Sequence, residues 1–98
     1  MIQRIVRMEF KESTIEAFES LFSAYQQQIR QQPGCQALEL HGDPSHPYVR
    51  YTQSRWESEQ ALNAYRKSIL FGEVWPRTKE LFVGRPQAFS LFLIRKIP

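Results

Sequence analysis

Between Tyr51 and Leu62 the chain changes its hydrophobic period, and that switch limits the folds open to it. Tyr51-Thr52-Gln53-Ser54-Arg55-Trp56 ends an alternating strand on a large aromatic side chain. Glu57-Ser58-Glu59-Gln60-Ala61-Leu62 then opens a helix. Ser58 is placed to be its N-cap, with the hydroxyl accepting from a free amide of the first turn. Glu57 and Glu59 put negative charge at the positive end of the helix dipole. A strand followed at once by a capped helix fixes one β-α unit, around which the other elements can be ordered.

Ile2 to Phe10 alternates, with Val6, Met8 and Phe10 on one face and Gln3, Arg7 and Glu9 on the other. Ser13-Thr14-Ile15-Glu16 reads as a capping box with Ser13 as the cap. The helix behind it carries Ile15, Phe18, Leu21, Phe22, Tyr25 and Ile29 in one apolar stripe. Pro33-Gly34 ends it, with Gly34 free to take a left-handed conformation. Cys35 to Gly42 is the second strand, with Leu38 and Leu40 on one face and Ala37, Glu39 and His41 on the other. Asp43 to Pro47 is a turn, and Tyr48 to Trp56 is the third strand. Beyond the helix at Ser58, Gly72 and Pro76 interrupt a second stripe, which predicts a broken or kinked helix from Ile69 to Phe82. Ala88 to Ile97 is the last strand, with Phe89, Leu91 and Leu93 on one face and Phe92 and Ile94 on the other.

The order β-α-β-β-α-β predicts an α+β ferredoxin-like domain over residues 1–98, a four-stranded antiparallel sheet with helices on one face. Two apolar faces on the last strand leave one of them without cover from the chain's own helices. A second copy packing sheet against sheet supplies that cover, so the expected assembly is a homodimer. Net charge is +3 and the 13 basic residues are scattered, a pattern without the basic stripe of a nucleic-acid face. The longest apolar run, Phe89 to Ile94, is too short to span a bilayer. A single cysteine, Cys35, and a charged Met1-Ile2-Gln3-Arg4 start point to a reducing, cytoplasmic setting.

Several segments together resemble the antibiotic biosynthesis monooxygenase (ABM) domains. They are Arg4 to Phe10, Pro33-Gly34-Cys35, Trp56 to Leu62, and then Tyr65, Ser68, Phe71 and Trp75-Pro76. The resemblance implies a dimeric α/β barrel whose subunits each hold a cavity between helices and sheet. It also implies oxidation of a small quinol- or phenol-like aromatic without heme, flavin or metal. The family's heme degraders carry an Asn on the first strand, a Trp in the second helical region and an axial His ten residues on. Those positions fall near Val6, at Tyr65 and at Trp75, and with no imidazole at Trp75 axial ligation is lost.

Tyr65, Phe71, Trp75 and Phe82, with Trp56, are the candidate pocket residues, set to aim rings at the sheet. An aromatic core is the alternative reading of the same stripe. Tyr65 offers a hydroxyl, Arg50 or Arg55 a cation for an anionic intermediate, and His41 a remote general base. His41, Asp43 and His46 have metal-compatible chemistry but no fourth ligand at suitable spacing. Cys35 reads as a small buried residue, not a nucleophile. No cofactor or metal is expected. The rival to a cofactor-independent monooxygenase is a non-enzymatic dimer that binds a small aromatic or oxygenated metabolite.

Overall fold

The computed structural model describes residues 1–98. The elements in chain order are β1 (Ile2–Glu9), α1 (Ile15–Arg30), β2 (Cys35–Asp43), β3 (His46–Trp56), α2 (Glu59–Arg66), α3 (Ile69–Lys79) and β4 (Gln87–Phe92). The strands form one sheet in the order β2-β3-β1-β4, and every neighbouring pair is antiparallel. This is the expected α+β ferredoxin-like fold. Period-two alternation in β1 turns Ile2, Arg4, Val6, Met8 and Phe10 towards the helices and Gln3, Ile5 and Arg7 away.

Two apolar clusters hold the helices on that face. Met8, Phe10, Ile15 and Phe18 form one, joining β1 to α1. Cys35, Trp56 and Leu62 form the other, joining the sheet to α2. The Phe10 and Phe18 rings stack with centroids 4.4 Å apart. On the outer side, Arg77 of α3 donates to the Tyr25 hydroxyl of α1 at 3.1 Å and lies over its ring.

Local chemistry sets the helix ends. Ser58 caps α2 as its sequence predicts, accepting from the Ala61 amide at 3.1 Å. The capping box at α1 does not form. The backbone already turns between Lys11 and Ile15, so Thr14 stands at the boundary, and its hydroxyl accepts from Lys11 N and donates to Leu81 O. The predicted break in the second helical region also lies elsewhere. It falls at Lys67–Ser68, where the Ser68 hydroxyl accepts from Phe71 N and starts a new helix. Gly72 and Pro76 both lie inside α3. Pro76 deprives only the Gly72 carbonyl of a partner, and that residue is exposed to water. Phe82 follows the helix and forms an isolated bridge to Phe10.

The last strand is shorter than the sequence suggests. It stops at Phe92, which pairs with Ile2, the first residue of β1. Leu93 and Ile94 therefore belong to no strand face. Phe89 and Leu91 lie on the helix-free face, half exposed, while Phe92, Leu93, Ile94 and Ile97 are each at least 70% exposed. No helix is long and apolar enough to cross a membrane.

Candidate functional site

The sheet and the three helices form a half-open cavity of about 220 Å3 between the two core clusters. Met8 and Phe18 of one cluster and Trp56 and Leu62 of the other share its wall. Most of the lining is apolar, and no Asp, Glu, His or Lys contributes to it. Its polar groups are Arg4, Thr52, Ser54, Tyr65, Arg66 and Thr78.

Each of the predicted pocket aromatics lies in a single chain of rings. Trp56 stacks on Tyr65 at 5.0 Å, Tyr65 meets Phe71 edge-on at 5.2 Å, and Phe71 stacks on Trp75 at 5.7 Å. Trp75 then meets Phe82 edge-on at 5.6 Å. Trp56, Tyr65, Phe71 and Trp75 line the cavity, whereas Phe82 stands one ring behind and packs on Phe10. The Ser54 hydroxyl accepts from the Trp56 indole at 2.9 Å, which fixes the plane of that ring. Such offset and edge-on pairs each contribute about 0.5–1.5 kcal/mol beyond burial, so the wall is preformed.

Tyr65 makes no hydrogen bond within the protein, which leaves its hydroxyl free for a ligand. Burial, with a smaller push from Cys35, raises its pKa to about 12. Near neutrality it is a neutral phenol, able to donate a hydrogen bond but not to act as a base.

Two cations reach the cavity that sequence reasoning did not select. Arg4 rises from the sheet, opposite Ser54 on β3 and Ser90 on β4, and donates to Ser90 Oγ at 2.9 Å. Arg66 comes from the last turn of α2. Neither forms an ion pair, since the chain's salt bridges involve only His41, His46 and Arg50 as cations. Burial first, then the charge of Arg66, lower the Arg4 pKa. The signal for Arg4 was its parity: it is the lone cation on a strand face that otherwise reads Ile2, Val6, Met8 and Phe10.

The two remaining predicted catalytic residues stand apart from the cavity. Arg50 faces the helices but pairs with Glu19 of α1, through Nε and Nη2 at 2.9 Å each, and donates to the carbonyls of Pro47 and Val49. His41 sits on the edge strand β2, with Nε2 2.7 Å from Glu39 Oε1, on the face turned away from the helices. Arg55 is exposed, opposite Gln3. His46 and Asp43 close the β2–β3 turn with Nδ1 and Oδ1 3.3 Å apart. The Ser45 amide, aided by His46, holds the Asp43 carboxyl below its ordinary pKa. Nowhere do three His, Cys, Asp or Glu side chains gather as metal ligands. Cys35 is buried against Trp56 and Leu62, and burial raises its thiol pKa despite the opposing pull of Arg30.

The fold is that of many solved structures. A structure named only as an antibiotic biosynthesis monooxygenase matches with a TM-score of 0.89 at 19% identity, covering 97% of this chain and 100% of that one. Rv0793 from Mycobacterium tuberculosis matches with a TM-score of 0.89 at 18% identity, over 99% of this chain and 98% of that one. A variant of SnoaB from Streptomyces nogalater, described as a cofactor-independent oxygenase, matches at 0.86 with 14% identity, over 99% and 96% of the two chains. No curated protein matches the sequence. The family model "Antibiotic biosynthesis monooxygenase" matches residues 1–75, which include β1, α1, β2, β3, α2 and the cavity aromatics through Trp75. The chain therefore belongs to the antibiotic biosynthesis monooxygenase family.

Proposed function

We propose that this protein is a cofactor-independent monooxygenase of a small quinol- or phenol-like aromatic, working as a homodimer. The observation that carries the reading is the preformed cavity, walled by Trp56, Tyr65, Phe71 and Trp75 and furnished with few polar groups. At about 220 Å3 it exceeds the roughly 150 Å3 that admits benzene and falls short of the roughly 300 Å3 where drug-sized sites begin. One substituted ring suits that volume. Family membership and the likeness to a cofactor-independent oxygenase support the reaction class.

In this reading the substrate is its own reductant. An ionised quinol passes an electron to dioxygen, and the two radicals close a C–O bond beside the phenolate carbon. The ring peroxide takes up a proton. It then loses water as the O–O bond breaks and the ring C–H proton departs. One oxygen atom stays on the ring as a carbonyl, the other leaves in water, and the quinol departs as a hydroxyquinone. The protein holds the ring against the aromatic wall and donates a hydrogen bond from the neutral Tyr65 hydroxyl. The exposed apolar series from Phe89 to Ile97 supports closure by a second copy over the helix-free face and the tail.

Oxygen uptake with a panel of hydroquinones tests the activity. Consumption of one dioxygen per quinol, with one labelled atom retained in the product, is the expected result. One observation favours a second reading: no carboxylate or imidazole lines the cavity to serve as a base. Tight binding of the panel without oxygen uptake establishes the non-enzymatic ligand-binding protein instead. Sedimentation at micromolar concentration tests the dimer, and a monomer there refutes it.

A further inference from the structure

We infer that the cavity selects an aromatic anion, a single ring bearing a carboxylate or an already ionised hydroxyl, and that Arg4 and Arg66 are the residues that recognise its charge. The inference deepens the reading of the cavity as the ligand site and rests on it. Arg4 occupies the middle of a central strand on its inward face, beneath the helices, and Arg66 reaches the same cavity from the end of α2. They come from elements on opposite sides of the cavity, yet no carboxylate of the chain approaches either. All the acidic groups that do pair are elsewhere: Glu19 with Arg50, Glu39 with His41 and Asp43 with His46. Arg66 is exposed and Arg4 partly so, which leaves both guanidinium groups solvated, charged and unclaimed at the rim of the cavity, open to an incoming anion. The one protein acceptor that meets Arg4 is the Ser90 hydroxyl, a neutral group that orients the guanidinium without neutralising it.

The missing base points the same way. Near neutrality Tyr65 stays protonated, and Cys35 keeps its proton beneath Trp56, so no group at the cavity removes a proton from a neutral phenol. A ligand that arrives ionised needs no such group. A guanidinium fork offers a carboxylate or phenolate oxygen charge-assisted hydrogen bonds, stronger than those to a neutral oxygen. The Tyr65 hydroxyl next to Arg66 in sequence can add a third donor.

Isothermal calorimetry on the full chain tests this with three probes. They are 4-hydroxybenzoate, its neutral methyl ester, and 4-nitrophenol titrated on both sides of its own ionisation. The expected result is at least about tenfold tighter binding of 4-hydroxybenzoate than of the ester, or a similar gain as 4-nitrophenol ionises. The first gain identifies a carboxylate ligand and the second a phenolate. Arg4→Met and Arg66→Met keep the apolar stems while removing the charges. Each should weaken the anion alone and leave the ester unchanged, in a variant that still unfolds cooperatively on heating. Equal binding of acid and ester, together with no gain as 4-nitrophenol ionises, overturns the inference. So does an anion preference that survives in the folded double variant, and so does the absence of binding by every probe. Oxygen plays no part in this readout, so loss of the oxygenase reading and loss of the anion reading are distinguished.

Discussion

Gly34→Ala examines how α2, and with it Tyr65, is seated on the sheet. Gly34 has φ of +83°, and a Cβ built there lies 2.5 Å from Ala61 Cβ. Left-handed geometry costs an alanine about 1–2 kcal/mol, and its stiffer unfolded chain returns about 0.4–1 kcal/mol. Ordinary contact begins at 3.4 Å, so the start of α2 must retreat by nearly an ångström. Such overpacking adds about 1–3 kcal/mol, for a total near 3 kcal/mol. Ala61→Gly alone should cost about 1 kcal/mol as a helical glycine. In the double variant the overlap vanishes while the strain and the helix cost remain, giving about 2 kcal/mol in place of an additive value near 4. Urea unfolding of all four proteins at a common m-value measures the coupling of about 2 kcal/mol. Ligand affinity should follow the same pattern, falling in the single variant and recovering in the double one. Additivity within about 0.5 kcal/mol refutes the reasoning and shows that Gly34 is not what sets the height of α2.

Tyr65→Phe should leave stability at neutral pH nearly unchanged, since its hydroxyl makes no internal bond, while weakening ligand binding by about 1–3 kcal/mol. The folded pKa is raised, so the corresponding stability is fully present below the ordinary value of 10.0 and is lost as pH rises towards about 12. That window is worth about 2–3 kcal/mol, and alkaline unfolding of Tyr65→Phe should lack it. Ser58→Ala should cost about 1 kcal/mol through the lost cap, whereas Ser13→Ala should cost under about 0.5 kcal/mol, both read by thermal unfolding. Cys35 should react with a thiol reagent only at the rate of unfolding or deep opening, and fast labelling of the folded protein contradicts its burial.

Much of the architecture was legible because it is written locally. Alternation in β1 and the apolar stripe of α1 depend on near neighbours, as does the Ser58 cap. Phe71 and Trp75, four residues apart on α3, were legible as neighbours from helical spacing, whereas Trp56 on β3 and Tyr65 on α2 join them only through the packing of those elements. The cations were not legible, because their meaning depends on distant partners. Arg4 and Arg50 share an inward parity, yet Arg50 is claimed by Glu19, 31 residues away in sequence, and Arg4 by no acid at all. His41 shares its face with Glu39, opposite Leu38, and only the placement of the helices shows that this face is outside the cavity. The end of β4 lies opposite the first residue of β1, a limit that no periodicity in Phe89 to Ile97 records.

The pairing of β4 with β1 governs when the cavity can come into being. Arg4 and Ser90, 86 residues apart in sequence, meet across that ladder, whereas the β2–β3 hairpin closes through a turn between Asp43 and His46. Each doubling of loop length costs about 0.6 kcal/mol, so the longer closure carries roughly 3 kcal/mol more entropy. The hairpin and its docking on α1 can form early, but the Arg4 side of the cavity is completed only when the two distant segments zip together. Folding followed by a probe at Trp56 should therefore be slow for a chain of this size, and ligand competence should appear in its final phase.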